Sequence, residues 1–165
     1  MLRTFGIIER FDDLSEYLRT VFDKFELRVR KGFYYTDDDL WISIENGKIR
    51  IGVSDYLQKT SGDVAFVELP KHGSTVEKGK EFGTMESAKT TVALMSPVSG
   101  EVNAANNKLT EAPELVNSDP YGEGWLLIIA PSDLDEDRTS LLSDDEYYNL
   151  MLERLQREHG KLEAR

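Results

Sequence analysis

The chain has no cysteine. That excludes disulfides, thiolate nucleophiles and cysteine metal sites, and it fits a reducing compartment. Any redox-active sulfur must therefore arrive with a cofactor. Histidine is scarce as well: His72 and His159 are the two present, and neither shows ligand spacing. Basic charge is short, with 20 Lys and Arg against 31 Asp and Glu and a formal net charge of -11. Like charges repel, so nucleic acid and anionic membrane surfaces are poor partners. The acidity suits docking against basic clefts on larger proteins, and it equally suits plain solubility. No apolar run approaches the ~20 residues of a membrane span. Met1 to Ile8 is too short for a signal-peptide core, and Glu9, Asp12 and Asp13 argue against a transit peptide, so the cytoplasm is the expected location.

What is present fits one domain with a modest core, at 165 residues. Residues 1–32 read as a helical extension. Asp12 and Asp13 can cap a helix running to about Phe25, with Leu14, Leu18, Val21, Phe22 and Phe25 on one face. Such a helix either packs on the domain or docks a partner. Residues 33–131 read as strands. Leu40, Ile42 and Ile44 alternate, Asn46-Gly47 supplies a hairpin turn, and Ile49, Ile51 and Val53 alternate again. Ser54 or Asp55 caps a short helix that Gly62 ends. Ala65, Val67 and Leu69 form another strand face, closed by Pro70, and Gly73 and Gly79 mark turns. Leu126 to Ile129 reads as a fully buried strand. Short strands with glycine turns indicate a small antiparallel sandwich or barrel. Residues 132–165 carry a capping box, Ser143-Asp144-Asp145-Glu146, opening a helix to about His159 that Gly160 ends. Tyr147, Leu150, Met151, Arg154 and Leu155 share one face of it.

The most informative stretch is Glu86-Ser87-Ala88-Lys89-Thr90-Thr91, a lysine among small residues between strand-like runs at 80–85 and 92–95. A lysine at a hairpin tip is an amine that another enzyme can acylate. An ordinary exposed lysine, with a pKa of ~10.4, is a poor nucleophile at neutral pH, so the acyl donor must be activated externally. The plain alternative is a solvated surface lysine. Biotin carriers place methionines beside their lysine, whereas Lys89 has Ala88 and Thr90. The serine motif of phosphopantetheine carriers is absent. Glu68 and Glu86 do not make a catalytic pair without a histidine or metal motif. Gly122 and Gly124 lack the pattern of a phosphate loop and shape the turn before Trp125, a core candidate.

Several motifs, in order and at matching spacing from about Phe33 to Pro131, resemble the glycine cleavage system H proteins. They are Phe66-Val67-Glu68-Leu69-Pro70, Glu86-Ser87-Ala88-Lys89, Ser96-Pro97-Val98-Ser99-Gly100-Glu101-Val102, Pro113-Glu114-Leu115-Val116-Asn117 and Asp119-Pro120-Tyr121-Gly122-Glu123-Gly124-Trp125. The resemblance implies a mainly β fold, a flattened lipoyl-type barrel or sandwich with the lysine hairpin exposed at one end and a C-terminal helix. It implies lipoate held as an amide on Lys89, with Glu86 and Gly100 read by the lipoate-attaching enzymes. It implies a carrier without catalysis of its own, serving glycine decarboxylase, aminomethyltransferase and dihydrolipoyl dehydrogenase.

Two departures stand out. Asp39-Leu40-Trp41 replaces the family's usual His-Glu-Trp, and Val92-Ala93 replaces a Ser-Asp pair. The missing acids meet the cationic end of the loaded arm in a surface cleft, and a cation moved out of water needs such a partner. Leu40 and Ala93 cannot serve, which leaves Asp38, Asp39 or Glu68 to compensate. Two further readings follow: an H-like lipoyl carrier for sulfur-compound oxidation or lipoate relay, and an unmodified interaction module.

Overall fold

The structure, a computed structural model, describes residues 9–11, 16–22 and 24–163. In chain order the elements are β1 (Glu9–Phe11), β2 (Tyr17–Phe22), β3 (Phe25–Arg30), β4 (Tyr34–Tyr35), β5 (Leu40–Glu45), β6 (Lys48–Val53), α1 (Asp55–Ser61), β7 (Val64–Glu68), β8 (Thr75–Val76), β9 (Glu81–Ser87), β10 (Thr91–Met95), β11 (Gly100–Ala105), α2 (Lys108–Glu111), α3 (Leu115–Ser118), β12 (Leu127–Pro131), α4 (Leu134–Asp137), a 3-10 turn (Arg138–Ser140) and α5 (Asp144–Glu163). The strands form three sheets, ordered β1-β2-β3, β10-β9-β7 and β4-β5-β6-β12-β11-β8. The fold is mainly β, and of the two forms expected it takes the sandwich: the sheets do not join into a closed barrel.

The local signals explain most of this. Asn46 and Gly47 have φ of 52° and 75°, the left-handed values a two-residue hairpin turn needs, and they join β5 to β6. Ser54 caps α1 by accepting from the Leu57 amide, and Gly62 ends it at φ 81°. Alternation along β5 and β6 sends Leu40, Ile42, Ile49, Ile51 and Val53 into one cluster with Val64, Met85 and Leu94 of the smaller sheet. That cluster is the aliphatic core between the six-stranded sheet and the β10-β9-β7 sheet. β12 runs down the middle of the larger sheet with Leu127 and Ile129 buried, but Ile128 is only half-buried. The expected fully buried strand therefore alternates, because its two faces meet different surroundings.

Trp41, between Leu40 and Ile42, points to the opposite face and enters a second, aromatic core with Tyr35, Tyr147, Tyr148 and Met151. Its ladder partner is Gly52, where any Cβ would lie 2.4 Å from the indole ring. Glycine at this position lets the ring lie flat over the neighbouring strand.

The expected N-terminal helix is corrected. β2 (Tyr17–Phe22) and β3 (Phe25–Arg30) pair as an antiparallel β-hairpin, with Leu18 opposite Val29 and Thr20 opposite Leu27. Those four residues are all buried. Leu18, Phe22 and Phe25 fit a helical period by chance. The same segment alternates with period two and is rich in Tyr, Val, Thr and Phe, which favour strands. Pairing with β3 decides between the patterns. Asp12, Asp13 and Leu14, the supposed start of the helix, lie outside the described residues. The hairpin packs Leu18, Leu27 and Val29 into the aromatic core.

At the other end the capping box forms, with the Glu146 amide donating to Ser143 Oγ at 3.1 Å and the Ser143 amide to Glu146 Oε1 at 3.1 Å. The helix it opens continues past Gly160 to Glu163. A glycine ends a helix only where the chain turns away, and inside one it costs only ~1 kcal/mol.

Candidate functional site

The last register pair of the β9–β10 hairpin is Glu86 with Thr91, which leaves Ser87 to Thr90 at the tip. Ser87 holds this turn together. Its amide donates to Thr90 O at 2.9 Å. Its hydroxyl accepts from the amides of Lys89 at 3.2 Å and Thr90 at 3.1 Å. The same hydroxyl donates to Ser61 O at 2.6 Å, tying the turn to the end of α1. Asn117 fixes that end in turn. Its Nδ2 donates to Gly62 O at 2.9 Å and Gln58 Oε1 at 3.1 Å, and its Oδ1 accepts from the Val64 amide at 2.8 Å. One side chain thus joins α1, its cap and the start of β7. On this anchored base Ala88, Lys89 and Thr90 are exposed. Among the described residues the hydrogen-bond partner of Lys89 Nζ is a backbone carbonyl, Thr60 O at 3.0 Å.

The β10-β9-β7 sheet has an inner and an outer face. Val67, Met85 and Val92 are in register and face the aliphatic core. Two rows then face outward: Phe66, Glu86 and Thr91, and beyond them Glu68, Thr84 and Ala93. The rows are roughly 7 Å apart along the strands. Lys89, Glu86, Glu68 and Ala93 are therefore brought onto one surface, all exposed. Glu68 and Phe66 also border a groove of about 590 Å³ between β7 and β11, with Leu69, Asn103, Asn106 and Leu109.

The other candidates lie elsewhere. Leu40 is 1% exposed, inside the aliphatic core, and presents nothing to a surface cleft. Asp39, at φ 68°, is a strut rather than a free acid. Its Oδ1 accepts from Tyr147 Oη at 2.8 Å and Arg154 Nη1 at 2.5 Å. Burial pushes the Asp39 carboxyl above its ordinary value, against the pull of Tyr147 and Arg154. Asp38 is exposed in a separate depression beside Lys78 and Ser96, and partial burial and Asp37 raise its pKa. Gly100 is buried in the larger sheet, where a Cβ would stand 2.2 Å from Ala130 O. Close packing of β11 on β12 accounts for that glycine. Trp125 is half-buried, with the Arg50 guanidinium 5.5 Å above its ring, rather than wholly in the core.

In the sequence Ser87 stands out only as a small neighbour of Lys89 and Asn117 only as part of a motif, and neither anchoring role is visible there. Their pattern of small polar residues at turns was the available signal. Among the described residues no group of His, Cys, Asp or Glu is placed to hold a metal ion, and no helix is long and apolar enough to cross a membrane.

Comparison with known proteins agrees with this geometry. The family profile described as "Glycine cleavage H-protein" matches residues 33–154. A glycine cleavage system H protein of Rubrobacter xylanophilus is 50% identical over 113 residues, covering 68% of this chain and 86% of that one. A probable glycine cleavage system H protein of Thermococcus gammatolerans is 44% identical over 131 residues, covering 79% of this chain and 96% of its relative. The crystal structure of a glycine cleavage system H protein from Mycobacterium marinum superposes with a TM-score of 0.68 at 34% identity, covering 74% of this chain and 98% of that one. A profile match over most of the chain, curated relatives at 44–50% identity and a solved structure of matching fold lead to one conclusion: the chain belongs to the glycine cleavage H-protein family.

Proposed function

We propose that this chain is a lipoyl carrier in glycine cleavage, with lipoate held as an amide on Lys89 Nζ. It is a carrier protein and not a catalyst, as its family indicates. Its partners on this reading are glycine decarboxylase, aminomethyltransferase and dihydrolipoyl dehydrogenase, together with a lipoate-attaching enzyme, all in the cytoplasm. When bound, lipoate supplies a disulfide-dithiol pair that takes up and releases an aminomethyl group.

The observation that carries the reading is Lys89 itself, exposed at the tip of a turn whose backbone Ser87 pins to α1. The residues present fit the group. The lysine Nζ is held by a single carbonyl contact that acylation can replace. Ala88 and Thr90 leave room for an acylating active site. A rigid base keeps the attachment point fixed while the arm moves, which raises the effective concentration of the cargo at each partner. Glu68 and Glu86 on the outward face give a cationic cargo acidic surroundings along the sheet. The alternative pathways drew on Leu40 and Ala93 as lost acids, and Leu40 is a core residue. The curated relatives reported above carry the glycine cleavage name.

The test is the intact mass of wild type and Lys89→Arg after lipoylation and after incubation with glycine and a glycine decarboxylase. Wild type should gain a lipoyl group and then a glycine-derived adduct. Lys89→Arg should gain neither while keeping its fold, because arginine retains charge but forms no lipoyl amide. A lipoyl signal persisting in the variant would place the arm elsewhere.

A further inference from the structure

Among the described residues, the exposed large hydrophobic side chains are Phe25 and Phe66, each 52% exposed. Both stand at the lysine end of the molecule. Phe66 lies opposite Glu86, three residues before Lys89, on the outward face of the edge strand. Phe25 comes from the N-terminal hairpin, at the final register pair beside its turn. The hairpin runs alongside α1: the Arg28 amide donates to Asp55 Oδ2 at 2.9 Å at the helix start. Three residues earlier in the chain, Phe25 has its ring centroid 5.5 Å from Lys59 Nζ, in the last turn of α1. The next helix residue, Thr60, supplies the carbonyl that holds Lys89 Nζ. Phe25, Lys89 and Phe66 therefore gather around one helix end. Phe25 lies outside the family match, which begins at residue 33.

We infer that Phe25 and Phe66 are the apolar anchors by which the lipoyl-attaching enzyme grips this chain, and that the N-terminal hairpin extends the family's docking surface. The inference rests on Lys89 being the attachment site. The geometry of the bond selects this partner. An amide forms between Lys89 Nζ and the acyl carbon of an activated lipoyl donor, the bond from that carbon to its leaving group breaks, and the surplus amine proton leaves to a base or to solvent. For that, the donor must approach to about 3 Å from Nζ, so the enzyme must close over the turn and touch its flanks. An enzyme that uses the finished arm meets its far end and can stand off. Phenylalanine, like the other aromatics, is enriched at protein interfaces relative to the rest of the surface, and a few such side chains carry much of the binding energy. Among the described residues no other large hydrophobic side chain is exposed to serve as an anchor.

The experiment uses the full unmodified chain as acceptor for a purified lipoate–protein ligase with lipoate and ATP. Wild type, Phe25→Ala, Phe66→Ala and the double variant are followed by intact mass over a range of acceptor concentrations. Each single change should raise KM for the acceptor about tenfold, with the larger share of the effect in KM rather than kcat. Phe25→Leu, which keeps an apolar anchor, should recover most of the loss. If Phe25→Ala does not fold, Phe25→Gln keeps the strand and is read in the same way. An unchanged KM in the double variant overturns the inference, and so does an effect confined to Phe66. Normal lipoylation with impaired loading by glycine decarboxylase also overturns it, by assigning the patch to another enzyme. Failure of the underlying reading looks different: wild type itself would then acquire no lipoate at Lys89.

Discussion

The two cores of this molecule bury different chemistry. Between the sheets lie Leu, Ile, Val and Met side chains, which have no polar groups to satisfy. Around α5 lie tyrosines and a tryptophan, and each brings a polar atom inside. Those atoms are paired, and all but Tyr35 find their partner far away in sequence. Trp41 Nε1 donates to Pro120 O at 2.9 Å, Tyr35 Oη to Arg30 O at 2.8 Å, and Tyr148 Oη to Arg19 O at 3.2 Å. Tyr147 Oη donates to Asp39 at 2.8 Å and lies 2.9 Å from Ser54 Oγ, while its ring stacks on Tyr35 with centroids 4.4 Å apart. The aliphatic core is assembled from adjoining strands whose alternation is local. The aromatic core joins three distant stretches of chain, and its hydroxyls fix how they meet. A buried hydroxyl left unpaired costs ~1–3 kcal/mol, so this second core tolerates one arrangement.

The largest effect should come from breaking the aliphatic core with charge. Leu40→Glu places a carboxylate where a leucine is 1% exposed. The variant should lose about 4 kcal/mol or more, enough to prevent folding in a domain of this size. Urea unfolding followed by circular dichroism measures it. An unchanged midpoint would show that position 40 reaches water, and would restore it as a cleft residue. Leu27→Ala probes the aromatic core from the N-terminal hairpin. At 3% exposure the change should cost about 2–4 kcal/mol. If instead the melting temperature hardly moves, the hairpin contributes little to folding, and the view of it as part of the core fails.

This contrast also explains what the sequence made legible. Asn46-Gly47, Ser54, Gly62 and the Ser143 capping box carry their physics within four or five residues, and each formed as its pattern required. The motifs around Lys89 located the hairpin for the same reason. The N-terminal segment was misread because Leu18, Phe22 and Phe25 satisfy a helical period, while the choice of strand rests on Leu27 and Val29 across the hairpin. The surroundings of Leu40 and Asp39 were not legible because their neighbours come from afar: Leu40 lies in the aliphatic core, and Asp39 meets residues 108 and 115 positions away. Alternation shows that Leu40 and Trp41 face opposite ways, but it does not say which face meets solvent.

A pH series sharpens the comparison at Asp39, where the aromatic core meets a carboxylate. Its folded pKa lies above the ordinary value of 3.8, chiefly through burial. The folded state then binds the proton more tightly than the unfolded chain does. Stability from this group is present below 3.8 and is lost as pH rises through the folded pKa. Asp39→Asn has no such loss. The stability gap between variant and wild type should therefore shift in the variant's favour as pH rises through the window that starts near 3.8. Parallel urea titrations across that range would show it. A shift of the opposite sign would mean that Arg154 outweighs burial.

The smallest effect on stability should be at the other departure from the family pattern. Ala93→Asp makes the same kind of change as Leu40→Glu, but on the exposed face, in a row with Thr84 and Glu68. Asp is a weak strand former, so a cost within about 1 kcal/mol is expected. Repulsion from Glu68 adds little, because two strand spacings separate the pair by roughly 10 Å. That is close to the screening length in physiological salt, roughly 8 Å. Function should respond more than folding does. If the loaded arm rests along this outward face, a carboxylate at position 93 meets its cationic end and slows loss of the cargo. The readout is how long the glycine-derived mass on Lys89 persists in the variant and in wild type. Equal lifetimes in two equally stable proteins would mean that the arm takes another path, and would leave the groove beside β7 as the next surface to probe.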